Sequence, residues 1–120
     1  MDRAEGVGLP ESVAPSVDLL IASLGGLEVL IALYREADRT WTPDQMASFV
    51  RMSPRAARLE LERLSARGVA DSHELGDDSI FRYWPVDSAH AAHVARIAAA
   101  YASRRIEVIN YVASGTLRRI

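Results

Sequence analysis

The stretch Thr42-Pro43-Asp44-Gln45-Met46-Ala47-Ser48-Phe49-Val50-Arg51-Met52-Ser53-Pro54 is punctuated twice in the same way. Thr42 and Ser53 each carry a hydroxyl that can accept from the free N–H groups at a helix start. Each is followed by proline, whose missing N–H would be unpaired there anyway. The first signal predicts a short helix with Met46, Ala47 and Val50 turned inward. The second predicts a helix from Pro54 to about Arg67 that buries Ala57, Leu61 and Leu64, spaced four and three apart. Gly68 is a fitting stop, because it adopts the left-handed conformation that other residues resist.

Downstream, the strand-like runs Val69–Leu75 and Ile80–Trp84 flank Gly76-Asp77-Asp78-Ser79, a hairpin with a polar tip. Pro85 ends the pairing. Asp87 or Ser88 caps a long helix to about Ala113, and Gly115 stops it. Upstream, Val17, Leu20, Ile21 and Leu24 sit at helical spacing after Pro15. Gly25-Gly26 is expected to break or kink that helix. A further helix over Leu27–Ala37 carries Leu27, Leu30, Ile31 and Tyr34 on one stripe, with Leu33 beside it. Trp41 is expected in a short strand beside the hairpin. The organisation that follows is an N-terminal arm over 1–15, a helix-turn-helix and hairpin unit with its preceding helix over 16–85, a C-terminal helix over 86–114 and a tail over 115–120.

A chain of 120 residues with 49% hydrophobic content supports one domain with a modest core. It has no cysteine, so disulfides and thiolate metal sites are excluded. No apolar run approaches the roughly 18 residues of a membrane span, and the polar start Met1-Asp2-Arg3-Ala4-Glu5-Gly6 is unlike a signal peptide. A cytoplasmic protein without membrane association is expected. All 14 basic residues are arginine, and the net charge is -2. That mean does not favour nucleic acid, but it can hide a patch. Between Arg51 and Gly68, five arginines face only Glu60 and Glu62.

The order of small helix, tight turn, capped helix and hairpin, together with Leu61-Glu62-Arg63-Leu64-Ser65-Ala66-Arg67-Gly68-Val69, resembles the winged helix-turn-helix regulators of the MarR, ArsR and PadR type. The resemblance covers residues 27–85, about half the chain. It implies a mainly α fold with a small β-hairpin, flanked by N- and C-terminal dimerisation helices. It also implies a bacterial transcription regulator that binds double-stranded DNA as a homodimer, with the helix after Ser53 in the major groove. Pro54, Arg55, Ala56, Arg58, Leu59 and Glu62 would face that groove. Arg55 and Arg58 would reach guanine edges or phosphates, since a guanidinium offers a planar pair of donors. Thr42 and Ser53 would present helix-start N–H groups to phosphate, and Arg51 would neutralise it. No operator, inducer or cofactor follows from these residues.

Two features fit the pattern less well. Leu59 and Glu62 stand where a DNA reader more often carries a polar or basic side chain. In the wing, Asp71, Glu74, Asp77 and Asp78 oppose only Arg82. Four carboxylates repel phosphate, whereas wings that enter the minor groove usually carry arginine or lysine. The alternative is a winged-helix module that docks on another regulator or a polymerase component, through Leu59 or the acidic wing, without binding DNA.

The remaining constellations have plainer readings. Trp41 and Trp84 are expected to fill the core between hairpin and helices. Asp87, His90 and His93 lie at i, i+3 and i+6, but no second cluster completes a metal site, and capping alone explains Asp87. Asp77 and Asp78 are turn residues. No phosphate-cradling glycine loop, Gly-x-Ser-x-Gly or His-Glu-x-x-His is present, so no enzyme is expected.

The C-terminal helix is apolar on more than one side. Val94, Ile97, Tyr101, Val108 and Tyr111 approximate a heptad seam, interrupted by Arg104. A second stripe holds Ala98, Ala102, Ile106 and Ile109. With Leu20 and Leu24 of the N-terminal segment, the first seam is expected to form a two-fold interface. That arrangement would set two recognition helices about one DNA turn apart.

Overall fold

A computed structural model describes residues 9–118 of the chain. The expected arm therefore lies outside the described residues over 1–8, as does the tail over 119–120. Six helices and three strands are described: α1 (Ala14–Leu20), α2 (Leu24–Arg35), β1 (Thr40–Trp41), α3 (Pro43–Val50), α4 (Pro54–Ala66), β2 (Ala70–Leu75), β3 (Asp78–Tyr83), α5 (Ser88–Ser103) and α6 (Arg105–Arg118). This is the winged helix-turn-helix order.

Helix α2 is the axis of the core. Leu27, Val29, Leu30, Ile31, Ala32 and Leu33 are all buried, because α3 and α4 pack on one side of α2 and α5 and α6 on another. A helix surrounded in this way is apolar nearly all round, not only on the stripe that periodicity picks out. The sheet has the order β1-β3-β2 and is antiparallel throughout. Trp41 pairs with Phe81, and both are buried. The hairpin is tighter than expected. Leu75 pairs with Asp78, which leaves only Gly76 and Asp77 in the turn.

Three expectations about helix ends are corrected. Gly25-Gly26 does not separate the first two helices. The break falls at Ile21–Ser23, where α1 and α2 bend by 99°, and the glycines form the first turn of α2. Ser23 is the cap, accepting from the Gly26 N–H at 3.0 Å. The C-terminal helix is not continuous, since Arg104 leaves helical geometry (φ -138°, ψ 52°) and divides it into α5 and α6. Gly115 does not stop α6, which runs to Arg118. Trp84 is also not in the core. It is 57% exposed, with the Arg82 guanidinium 4.2 Å above its ring.

Candidate nucleic-acid interface

The turn between α3 and α4 is fixed by local chemistry. Thr42 and Gln45 form a reciprocal cap: the Gln45 N–H donates to Thr42 Oγ1 at 3.1 Å, and the Thr42 N–H donates to Gln45 Oε1 at 2.9 Å. Arg51 ends α3 in the left-handed region (φ 63°), which reverses the chain within two residues. Ser53 Oγ then accepts from the Ala56 N–H at 3.1 Å and starts α4. At the far end, the Val69 N–H donates to the Leu64 carbonyl and the Gly68 N–H to that of Ser65. This is the paired closing motif that a left-handed Gly68 (φ 83°) permits.

Helix α4 turns Ala57, Leu61 and Leu64 into the core, as their spacing predicts. Its opposite face is open. Ser53, Pro54, Arg55, Arg58, Leu59 and Glu62 are exposed, Ala56 is half-buried at the helix start, and Arg51 stands exposed in the turn. Thr42 is half-buried, its hydroxyl already committed to capping. Arg51 and Arg55 make no ion pair among the described residues. Arg58 lies 3.9 Å from Glu62, one helical turn on, with both side chains about half-exposed. A pair of this kind contributes only a few tenths of a kcal/mol, so it leaves Arg58 available. Arg63 and Arg67 face away from this surface. Arg63 meets Glu60 at 3.4 Å, and Arg67 Nη1 donates to the Leu20 carbonyl at 2.9 Å, fastening α4 to the end of α1.

Glu60 is a residue whose role sequence reasoning missed. It is buried between α4 and the start of α2, where it accepts from Ser23 Oγ at 2.9 Å. A carboxylate is favoured at a helix N-terminus. The glycine pair is what lets it approach, since a Cβ at Gly26 would lie 3.1 Å from Glu60 Oε1 and one at Gly25 3.4 Å from Oε2. The orientation of α4 against α2 therefore rests on a polar clasp as well as on apolar packing. The conjunction of Ser23, Gly25-Gly26 and Glu60 carries no local signal, because the partners are 37 residues apart.

The wing is as acidic in space as in sequence. Asp71 meets Arg82 at 3.5 Å and His73 at 3.2 Å, while Glu74 accepts from Ser79 Oγ at 3.0 Å. The Asp77 and Asp78 carboxylates have no partner among the described residues. At the next junction, Asp87 caps α5 by accepting from the His90 N–H at 2.8 Å, with His90 Nδ1 at 2.7 Å from the same oxygen. These hydrogen bonds, the backbone one first, hold the Asp87 carboxyl below its ordinary range. Burial, followed by the nearby Tyr34, pushes the Tyr83 hydroxyl up. No group of three or more His, Cys, Asp or Glu residues suited to a metal ion occurs among the described residues.

The seam expected to meet a second copy is turned inward. Leu20, Val94, Ile97, Tyr101 and Val108 are buried in the chain's own core. Tyr111 is half-buried, its hydroxyl donating to the Asp18 carboxylate of α1 at 2.9 Å, and only Leu24 is substantially exposed. For Val94, Ile97 and Tyr101 the reason is that α5 itself packs on α1 and α2; for Val108 and Tyr111 it is the kink at Arg104. The kink lets α6 fold back on α1 and α2, so the first seam is used within the subunit. The second stripe stays outside, with Ala102 and Ile106 exposed and Ala98 and Ile109 half-buried.

The fold is shared with solved structures. One is described as a possible transcriptional regulator from Methanosarcina mazei Go1, with a TM-score of 0.55 at 13% identity, covering 78% of this chain and 82% of that one. Another is the homodimeric winged helix-turn-helix DNA-binding domain of a possible ArsR-family transcriptional regulator from Mycobacterium bovis, with a TM-score of 0.55 at 19% identity, covering 87% and 89%. No protein-family model matches the chain, and no curated protein matches it in sequence. Among the described residues, no single helix is long and apolar enough to cross a membrane.

Proposed function

We propose that the chain is a homodimeric, non-enzymatic transcription regulator of the cytoplasm that lays the outer face of α4 in the major groove of duplex DNA. The observation that carries this reading is the open face of a doubly capped helix. There Arg55 and the preceding Arg51 have no counter-ion among the described residues, and Arg58 has only a loose one. Guanidiniums left unpaired on a convex rod suit a polyanion. At the start of α4, Ser53 takes the Ala56 and Ala57 N–H groups, which leaves the Arg55 N–H to favour phosphate. The shared fold with a homodimeric DNA-binding domain supports the same reading. Dimerisation would use the outward stripe Ala98, Ala102, Ile106 and Ile109, with Leu24, because the first seam is already occupied. The test is binding to a random-sequence duplex pool at two salt concentrations. The expected result is affinity that falls steeply with salt, as neutralised phosphates release counterions. An absence of binding at both concentrations would refute it.

A second reading keeps the fold and changes the partner. Leu59 is 46% exposed in the middle of the same face, and Glu62 faces Arg58. A protein surface would accept both more readily than a groove. Capture of a protein partner that depends on Leu59, with no salt-sensitive DNA affinity, would favour this docking module.

A further inference from the structure

A half-open hollow of about 490 Å³ lies where the ends of α2 and α3 meet the α5–α6 kink, with Arg51 of the α3–α4 turn among its lining residues. Its apolar wall includes Ile31, Val50 and Tyr101, with Phe49, 53% exposed, at the edge. Its cations are Arg35, Arg51 and Arg105, and its anions are Glu28 and Glu36. The Arg35 and Arg105 guanidiniums lie 5.9 and 4.9 Å from the Tyr101 ring centre, on an aromatic face rather than on a carboxylate. None of the three arginines makes an ion pair among the described residues. The hollow therefore combines an apolar wall with three guanidiniums that outnumber its two carboxylates.

The wing tip has the complementary composition. Glu74-Leu75-Gly76-Asp77-Asp78 places three carboxylates around a leucine that is 65% exposed. The tip stands clear of its own subunit, since a Cβ built on Gly76 meets nothing within 4 Å. The two-residue turn makes it narrow, and the pairing of Leu75 with Asp78 keeps it stiff. A pre-ordered hairpin loses little entropy on docking. DNA binding also leaves the acidic wing unexplained.

We propose that the wing tip of one copy docks in the Arg35–Arg51–Arg105 hollow of a second copy. Leu75 enters between Phe49, Val50 and Tyr101, while Asp77 and Asp78 reach the arginines at the rim. The two surfaces differ, so when each copy gives its wing to one neighbour and its hollow to another the contact runs head to tail and extends beyond two copies. It is separate from a two-fold dimer through the outer stripe. Because Glu28 and Glu36 share the hollow, the attraction is modest and salt-sensitive.

The test is sedimentation velocity of the full chain without DNA, over rising concentration at low and high salt. The expected result is association beyond a dimer at low salt that is lost at high salt. Arg35→Glu with Arg105→Glu, and separately Asp77→Arg with Asp78→Arg, should each weaken that association at least tenfold. Mixing the two charge-reversed variants should restore it, since each supplies the other's missing complement. Leu75→Ser, which alters no charge, should weaken it too, and it serves if a reversed variant fails to fold. A wild-type chain that stops at a dimer or monomer at every concentration, or reversed variants that do not associate on mixing, would overturn the proposal. No step depends on DNA affinity, so this contact and the DNA-binding reading can fail separately.

Discussion

Helix α4 and the β2–β3 wing are consecutive in the chain, both largely exposed, and opposite in charge. On α4 the carboxylate that matters most, Glu60, is drawn inside, and among the outward charges Arg55 and Arg58 outnumber Glu62. On the wing Asp77 and Asp78 are pushed outward and Arg82 is held by Asp71 and stacked on Trp84. The chain therefore separates charge across a distance of one hairpin. A mean charge of -2 conceals one surface suited to a polyanion and a neighbour that repels it. The position of a charge, not the count, determines what each surface can meet.

Removing the arginines is the most direct way to break this contrast. Arg55→Ala with Arg58→Ala should weaken duplex binding at least tenfold in a gel shift, since each well-placed guanidinium contributes about 1–3 kcal/mol. Unchanged affinity in the folded double variant would remove the case for α4 as the reader. Next in size is the clasp beneath the helix. Glu60→Ala leaves the Ser23 hydroxyl and Arg63 without their partner, and should lower unfolding free energy by about 1–3 kcal/mol in urea titration. Glu60→Gln should cost less, because an amide oxygen still accepts from Ser23.

Blunting the other half of the contrast should have a smaller effect in the opposite direction. Asp77→Asn with Asp78→Asn should tighten DNA binding a few-fold at low salt, with the gain shrinking as the Debye length falls from about 10 Å toward 3 Å. The smallest effect concerns the cap of α5. Asp87 has a folded pKa below its unfolded one, so its contribution is present above the ordinary carboxylate range and is lost as pH falls through the lowered value. Thermal melts of Asp87→Asn, which caps without titrating, should lose that part of the acid sensitivity and match wild type near neutral pH.

Most of the turn, α4 and the wing was legible because their signals are local. Thr42-Pro43, Ser53-Pro54 and Gly68 act within four residues of themselves, and Gly76 within its own turn. The corrected expectations are those that tertiary partners decide. Gly25-Gly26 reads as a breaker until Glu60 arrives from α4, at which point the pair becomes the part of a helix that admits a carboxylate. Arg104 carries no proline or glycine to announce the kink, so the α5–α6 seam reads as one continuous face awaiting a partner. Trp84 lies one residue beyond β3, and only the folded chain shows that its ring is left to Arg82. Among the candidate site residues, the exposed face of α4 followed from helical period alone. The inward turn of Val94, Ile97 and Val108 did not, because period identifies an apolar face without saying what covers it.

The stitching around Gly68 has a mechanical consequence. The Val86 N–H donates to the Gly68 carbonyl at 2.7 Å, the Trp84 N–H to that of Val69 at 3.0 Å, and a Cβ at Gly68 would lie 3.0 Å from Val86. The exit of the arginine helix, the root of the hairpin and the approach to α5 are thus riveted at one point with no slack. A force on the hairpin's far end would therefore reach the end of the helix through two hydrogen bonds and a close contact rather than through a loop.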